Sequence, residues 1–493
     1  MQRSSGILLH PTALPGPHGI GALGSEAHLF INFLVAAGQK VWQILPLGPT
    51  GFGNSPYNAL SAFAGNPLLI DLDQLVNLGD LLPAEINGAI FAEGPVTAQA
   101  IRWKRVLLEQ AGRRFFSQAT PARKSDFAAF CQTNAAWLDD YVLFMALRDH
   151  FKEQSWASWP EEIRRRDPLA MSRWRDQLTA EMGLHRYQQY IFYEQWLDLK
   201  SHANSLGISI LGDIPIFVAY DSADVWAHQQ LFQLNDEGRP LAVAGVPPDY
   251  FSATGQLWGN PLYNWQRLKD SGFQWWIERF HRDFLYADMV RLDHFRGFQA
   301  CWSVAANETT AINGHWEQTP GRQLFIRLRE EFGLLPIIAE DLGIITPEVE
   351  RLRRDFGFPG MKVLQFAFDS GPDNPYLPDH YEMECGVYTG THDNNTTLGW
   401  CQNLTAEQRR PVAEDLGKSA PDMPWDLIEL AEASAAEVCI LPCQDILELG
   451  EEARFNRPGD PHGNWRWRLR RQQLTAALEH RLRDLCQSEN RVH

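Results

Sequence analysis

An α/β fold built on a parallel strand barrel is the architecture that this 493-residue sequence predicts. Two observations carry that expectation. Strand-like runs alternate with helical patterns along most of the chain, which is the signature of a parallel sheet joined by helices. Three of those runs also end in a carboxylic acid. MVRLDHFRG (289–297), PIIAEDLG (336–343) and VYTGTHDN (387–394) present Asp293, Glu340 and Asp393. In a parallel barrel, residues at the carboxyl ends of strands meet around one mouth. An acid beside buried strand residues is costly unless something compensates it, so such positions favour function over packing.

The elements follow in order. Near the N-terminus, the pattern over 26–38 fits a helix, and its FINFLVAAG stretch (30–38) is too short to span a bilayer. KVWQILPL (40–47) and NPLLIDL (66–72) read as strands. The stretch 73–207 looks largely helical (RWKRVLLEQAGRRF, DYVLFMALRDHF, HRYQQYIFYEQWLDLKSHA), and residues 75–185 are expected to form an inserted subdomain. Further strands are expected at ISILGDIPIFVA (208–219), ADMVRLDHF (287–295), LPIIAEDL (335–342), GMKVLQFAF (360–368), CGVYTGTH (385–392) and EVCILPC (437–443). Several are continuous Val/Ile/Leu runs, as in parallel strands buried on both faces. Helical patterns at 187–205, 321–332, 347–355 and 426–436 lie between them. Segments 220–286 and 299–334 are rich in Gly, Pro, Asn and Trp and read as loop insertions beside the active site. Residues 1–493 thus read as a single catalytic barrel with insertions.

Composition narrows the function. A net charge of −17 and a pI near 5.3 provide no basic field for nucleic acid or anionic membranes. The Arg-dense RLRR (351–354) and WRWRLRR (465–471) read as solvated helix faces. MQRSSGILLHP lacks the apolar core of a secretory signal. The seven cysteines are scattered, and Cys439 and Cys443 have no partner pair at metal-ligand spacing, so reduced thiols and a cytoplasmic location are expected. Eighteen tryptophans occur, several beside Gly, Asn or Pro, including Trp258, Trp316 and Trp465. Such a ring offers an apolar stacking face that suits the CH faces of sugars.

The acids specify glycoside chemistry: a nucleophile, a proton donor and a third acid that stabilises positive charge on the sugar. In a strand, Arg291 and Asp293 point the same way, so Arg291 can keep Asp293 ionised and aimed. Glu340 follows the apolar Pro336-Ile337-Ile338-Ala339, so desolvation can raise its pKa and keep it protonated as a donor. Asp341 should face the other way. His392 and Asp393 fit a pair that binds ring hydroxyls. Tyr57 and Trp258, on Gly/Pro/Asn-rich segments, are candidate sugar-contacting aromatics. Other classes fit less well. The 15 histidines form no H-x-H or H-E-x-x-H pattern, so no metal site is expected. GPTGFGNSPY (48–57) lacks G-K-[ST], and Pro56 stands where a nucleotide-binding helix would begin. An inert glucan-binding protein would not need all three acids.

These residues also carry a family resemblance. The Arg-x-Asp of 291–293, the Glu340 segment and His392-Asp393 resemble three motifs of the α-amylase superfamily, and Gly212-Asp213-Ile214-Pro215 resembles the region of its strand Asp. GILLHPTALPG (6–16), NSPYNALSAFAGNPLLIDL (54–72), DSADVWAH (221–228), GVPPDYFSATGQLWGNPLYNW (245–265) and Asn464-Trp465-Arg466-Trp467-Arg468 resemble the amylomaltases, or 4-α-glucanotransferases. The resemblance runs from about residue 5 to 468 and is weakest near 75–185. It implies a (β/α)8 TIM barrel with inserted subdomains, no separate C-terminal β-domain and no obligatory cofactor. It also implies Asp293 as nucleophile, Glu340 as acid/base and Asp393 as transition-state stabiliser, with Tyr57, Asp213, Trp258, Arg291, His392 and Asn464 around the substrate. The expected substrates are maltooligosaccharides, glucose and α-glucans. The expected reaction is retaining transfer to the 4-hydroxyl of an acceptor, with α-glucan hydrolysis as the alternative from the same intermediate. The chain departs from the usual pattern at Asn395, Cys301 and the SVAAN that follows Trp302.

Overall fold

The computed structural model describes residues 3–89, 91–248, 252–460 and 462–492. In chain order its strands are β1 (Ser4–Leu8), β2 (Val41–Gln43), β3 (Ser209–Pro215), β4 (Ala242–Val246), β5 (Gln256–Pro261), β6 (Met289–Asp293), β7 (Ala300–Ala305), β8 (His315–Gln318), β9 (Ile337–Ala339), β10 (Gly360–Val363), β11 (Cys385–Tyr388) and β12 (Val438–Pro442). Eight of them form one sheet in the order β10-β11-β12-β1-β2-β3-β6-β9, and every pairing in it is parallel. The ring closes where the Ala339 N–H of β9 donates to the Pro359 carbonyl just before β10, at 2.8 Å. The chain is therefore the expected α/β barrel, with no separate C-terminal β-domain among the described residues. β11 and β12 are buried at every position, as strands covered on both faces must be.

Two strand readings need correction. NPLLIDL is not a strand but a 3₁₀ turn, Pro67–Leu69, followed by the helix Leu72–Asn77. Asn66 accepts from the Leu68 N–H and Asp71 from the Gln74 N–H, so each polar residue caps the turn that follows it. A short apolar run cannot by itself distinguish a strand from a buried helix. Conversely, β1 has too few apolar residues to show as a strand run. Ser5 is buried with its hydroxyl donating to the Glu432 carboxylate. Gly6 is required by close approach, since a Cβ there would lie 2.4 Å from the Val41 carbonyl oxygen.

The Gly- and Trp-rich segments that read as loops carry a second, antiparallel sheet in the order β5-β4-β7-β8. Its register shifts between Val243 and Gly245, which breaks the alternation that a sequence pattern could reveal. The stretch before β3 is helical, with helices at Ala98–Gln118, Pro121–Thr133, Ala135–His150, Pro168–Gln177 and Thr179–Ser205. The last runs back onto the barrel. Its buried Gln189 and Gln195 each both donate to and accept from the backbone, at Gly65 and Asp71 respectively, and so pin the segment after β2. That segment carries Tyr57 to the mouth of the barrel.

Candidate active site

The site begins in the strand register. Asp213 of β3 pairs with Arg291 of β6, and Leu292 pairs with Ala339 of β9, which places Asp293 and Glu340 side by side at the top of the ring. Arg291 is buried, and its Nη1 lies 2.9 Å from the Asp293 carboxylate and 3.0 and 2.9 Å from the two oxygens of Asp213. Burial would lower the guanidinium pKa, but Asp213 and Asp293 raise it well above its ordinary value. Asp213 is pushed up to about 6 by burial, against the pull of Arg291. The Tyr57 hydroxyl donates to Asp213 Oδ2 at 2.7 Å. Arg291 thus stands between two carboxylates, and Asp293 is the one of the two that opens to solvent.

Glu340 accepts two backbone hydrogen bonds, from the His294 N–H to Oε2 at 2.7 Å and from the Leu342 N–H to Oε1 at 3.0 Å. Both favour the carboxylate, as does Arg291. Burial outweighs them, with repulsion from Asp293 added, and the pKa rises to about 7. Glu340 can therefore hold a proton near neutral pH. Asp341 turns the other way, accepting from the Met361 N–H at 2.7 Å beside Arg353.

His392 and Asp393 stand in the turn after β11. Asp445, just past β12, fixes that turn by accepting from the Thr389 and Thr397 hydroxyls and the Thr397 N–H. Asn456 Nδ2 donates to Asp393 Oδ1 at 2.6 Å, and His392 Nε2 lies 3.4 Å from the same oxygen. Burial raises the Asp393 pKa, but His392 and the Asn456 amide together bring it below the ordinary carboxylate value. His392 is raised in turn, because Asp393 overcomes the effect of burial. The Tyr57 and His392 rings stack with centroids 4.9 Å apart, and Trp465 packs about them at 6.0 and 5.9 Å. One acid paired to Arg291, one proton-holding acid and one acid beside a histidine thus share a single mouth. That arrangement suits glycosyl transfer.

Residues 9–475 match the model of the 4-alpha-glucanotransferase family. The chain belongs to that family. It is 48% identical to the 4-alpha-glucanotransferase of Thermus thermophilus over the whole of both chains. It is 50% identical to that of Synechocystis over 96% of this chain and 95% of the relative. Among solved structures it superposes on an amylomaltase from Streptococcus agalactiae in complex with acarbose, with a TM-score of 0.96, 39% identity and full coverage of both chains.

Within this 4-alpha-glucanotransferase fold, the sequence-derived residues Tyr57, Asp213, Arg291, Asp293, Glu340, His392 and Asp393 lie in one connected network. Trp258 is placed on the edge strand β5 rather than on a loop, half-exposed, with its ring edge-to-face on His294 at 4.7 Å. Asn464 is not brought into the network. Its side chain is spent on the backbone of its own loop, bonding Arg457 and Asp460. Its neighbour Trp465, with φ of 61°, is the residue that turns inward. Asn456 and Arg454, which donates to the Asp393 carbonyl at 2.8 Å, escaped sequence reasoning because ARFNRPGD carries no recognisable spacing. Asp249, Tyr250 and Phe251 of the 245–265 segment lie outside the described residues. Among the described residues, no group of three His, Cys, Asp or Glu side chains is placed to hold a metal ion, and no helix is long and apolar enough to cross a membrane.

Proposed function

We propose that this chain is a retaining 4-alpha-glucanotransferase in which Asp293 is the nucleophile and Glu340 the acid/base. The observation that carries the reading is the pairing on adjacent strands of Asp293, ion-paired to Arg291, with Glu340, raised to about 7. Asp293 attacks the anomeric carbon of an α-1,4-linked glucan while Glu340 protonates the departing glycosidic oxygen. The leaving segment carries that proton away and a glucosyl-enzyme remains. Glu340, now ionised, takes the proton from the 4-hydroxyl of an acceptor sugar, which displaces Asp293 and restores the starting state.

Asp393 and His392 are read as partners of the ring hydroxyls, stabilising the oxocarbenium-like transition state. Tyr57 is read as a wall beside them, and Trp258 as an aromatic on the acceptor side. The helical region 75–185 and the segments 220–286 and 299–334 are proposed as insertions that shape the mouth. Maltooligosaccharides and glucose are the proposed small substrates, and the cytoplasm is the proposed location. All seven cysteines being free thiols supports that location.

Transfer defeats hydrolysis only if the acceptor hydroxyl is oriented at high effective molarity, which can reach ~10⁵ M or more. Incubation with maltotriose tests this. Glucose and a ladder of longer oligosaccharides are expected, whereas glucose and maltose with nothing longer than the donor would identify a hydrolase.

A further inference from the structure

His294 follows the nucleophile and takes no part in the steps above, yet it touches two of their participants. Its backbone is left-handed, with φ 52° and ψ 52°, a conformation uncommon for residues with a Cβ and unfavourable for β-branched ones. This turn aims its N–H at Glu340 Oε2, at 2.7 Å. The next N–H, that of Phe295, donates to the Glu340 carbonyl at 3.0 Å, so both ends of the residue are held. The imidazole meanwhile stands edge-to-face against Trp258, with centroids 4.7 Å apart and planes at 81°. Gly297 leaves room for the ring, since a Cβ there would lie 3.1 Å from His294 Cδ2. Burial, helped by Arg296 and opposed by Asp293, lowers the imidazole pKa to about 4, so the ring is neutral where the enzyme works.

We propose that His294 is a positioning residue joining the acid/base to the acceptor wall, its main chain holding the Glu340 carboxylate and its ring bracing Trp258. The proposal rests on the reading of Glu340 as acid/base and Trp258 as an acceptor-side aromatic. The groups that face Glu340 are Arg291 and Asp293 from β6, the His294 and Leu342 N–H groups, and Tyr376 from the segment after β10. Asp341 is engaged elsewhere, by Met361 and Arg353. Among these, the His294 N–H is the donor that depends on a strained backbone.

Substitutions separate the two roles. Asn and Gly tolerate the left-handed conformation, so H294N and H294G should keep the N–H in place while removing the ring. Val does not, so H294V should swing the N–H away. The readouts are the alkaline limb of kcat/KM on maltotriose, which reports protonation of the free acid, and the ratio of transfer to hydrolysis. In H294V the limb should move upward by roughly half to one pH unit, because the carboxylate loses a donor that favoured it. In H294N and H294G the limb should stay while the transfer ratio falls by roughly fivefold to tenfold, the scale of one lost ring contact.

An unmoved limb in a folded H294V, or an unchanged transfer ratio in both H294N and H294G, would overturn the proposal. If H294V does not fold, the transfer ratio of the other two variants decides. E340Q separates the proposal from its premise. Loss of the limb in E340Q assigns it to Glu340, so an unmoved limb in H294V then refutes the positioning role alone. A limb that survives in E340Q refutes the acid/base reading and this proposal together.

Discussion

Asp293→Asn keeps the side-chain volume and removes the charge that Arg291 orients, so the fold should survive and turnover should not. A loss of about 10⁴-fold or more is expected in the initial rate on maltotriose, as for removal of other covalent nucleophiles. Activity within about tenfold of the parent would remove Asp293 from the mechanism. Glu340→Gln should slow natural glucans far more than activated glycosides, whose leaving groups need little protonation. Azide should partly rescue the activated substrates, and equal loss on both classes without rescue would contradict the assignment. The same residue sets a pH dependence. Glu340 must be protonated to donate, and burial raises its pKa to about 7, so kcat/KM should fall as pH rises through about 7 and be retained below it. A limb near the ordinary Glu value, about 4.3, would mean that burial does not dominate at this carboxyl.

Elements were legible to the degree that their residues obey one period. β9, β11 and β12 are short apolar runs between polar breaks, and the sequence shows them directly. β1 hides because Ser5 is engaged by Glu432 and the close approach to β2 demands Gly6, so neither is a large apolar side chain. Gly6→Ala should push β1 and β2 apart, since the new methyl would meet Val41 O at 2.4 Å and Val41 Cβ at 2.6 Å. A stability loss of about 1–3 kcal/mol is expected in denaturant melts, the usual cost of overpacking. An unchanged midpoint would show that the two strands yield without strain. The small sheet was illegible for another reason. Its strands are short and irregular, and cross-strand pairs such as Trp302 with Trp316 become visible only when β7 and β8 meet.

At the scale of the whole molecule, the two chain ends are tied together under the barrel. Arg491 and Glu432 are both fully buried, with Arg491 Nε 3.0 Å from Glu432 Oε2. The same guanidinium donates to the carbonyls of Ser4, Glu432 and Ser434. Arg491→Leu should therefore remove the cation that ion-pairs the buried Glu432 and leave it the weaker pull of Arg3, a change that costs up to about 3–5 kcal/mol where a buried pair loses one partner. Thermal melts should show a clearly lowered midpoint, while the active-site mouth at the opposite ends of the strands should keep its pH profile at permissive temperature. A midpoint matching the parent would mean that the ends are not coupled to the core.

By itself the sequence determined the barrel class, the alternation of strands and helices and the three acids, because each is encoded by local periodicity or by an acid at the end of a strand run. It also implied the Arg291–Asp293 pairing, since a strand repeats its direction every two residues. Only the tertiary structure decided the rest. Asn456 reaches Asp393, Trp465 replaces Asn464 at the site, and the His294 N–H meets Glu340. All of these contacts join residues far apart in the chain. All three depend on a backbone orientation, a left-handed turn or a loop closure that no residue pattern records, because it is set by the space the rest of the barrel leaves free.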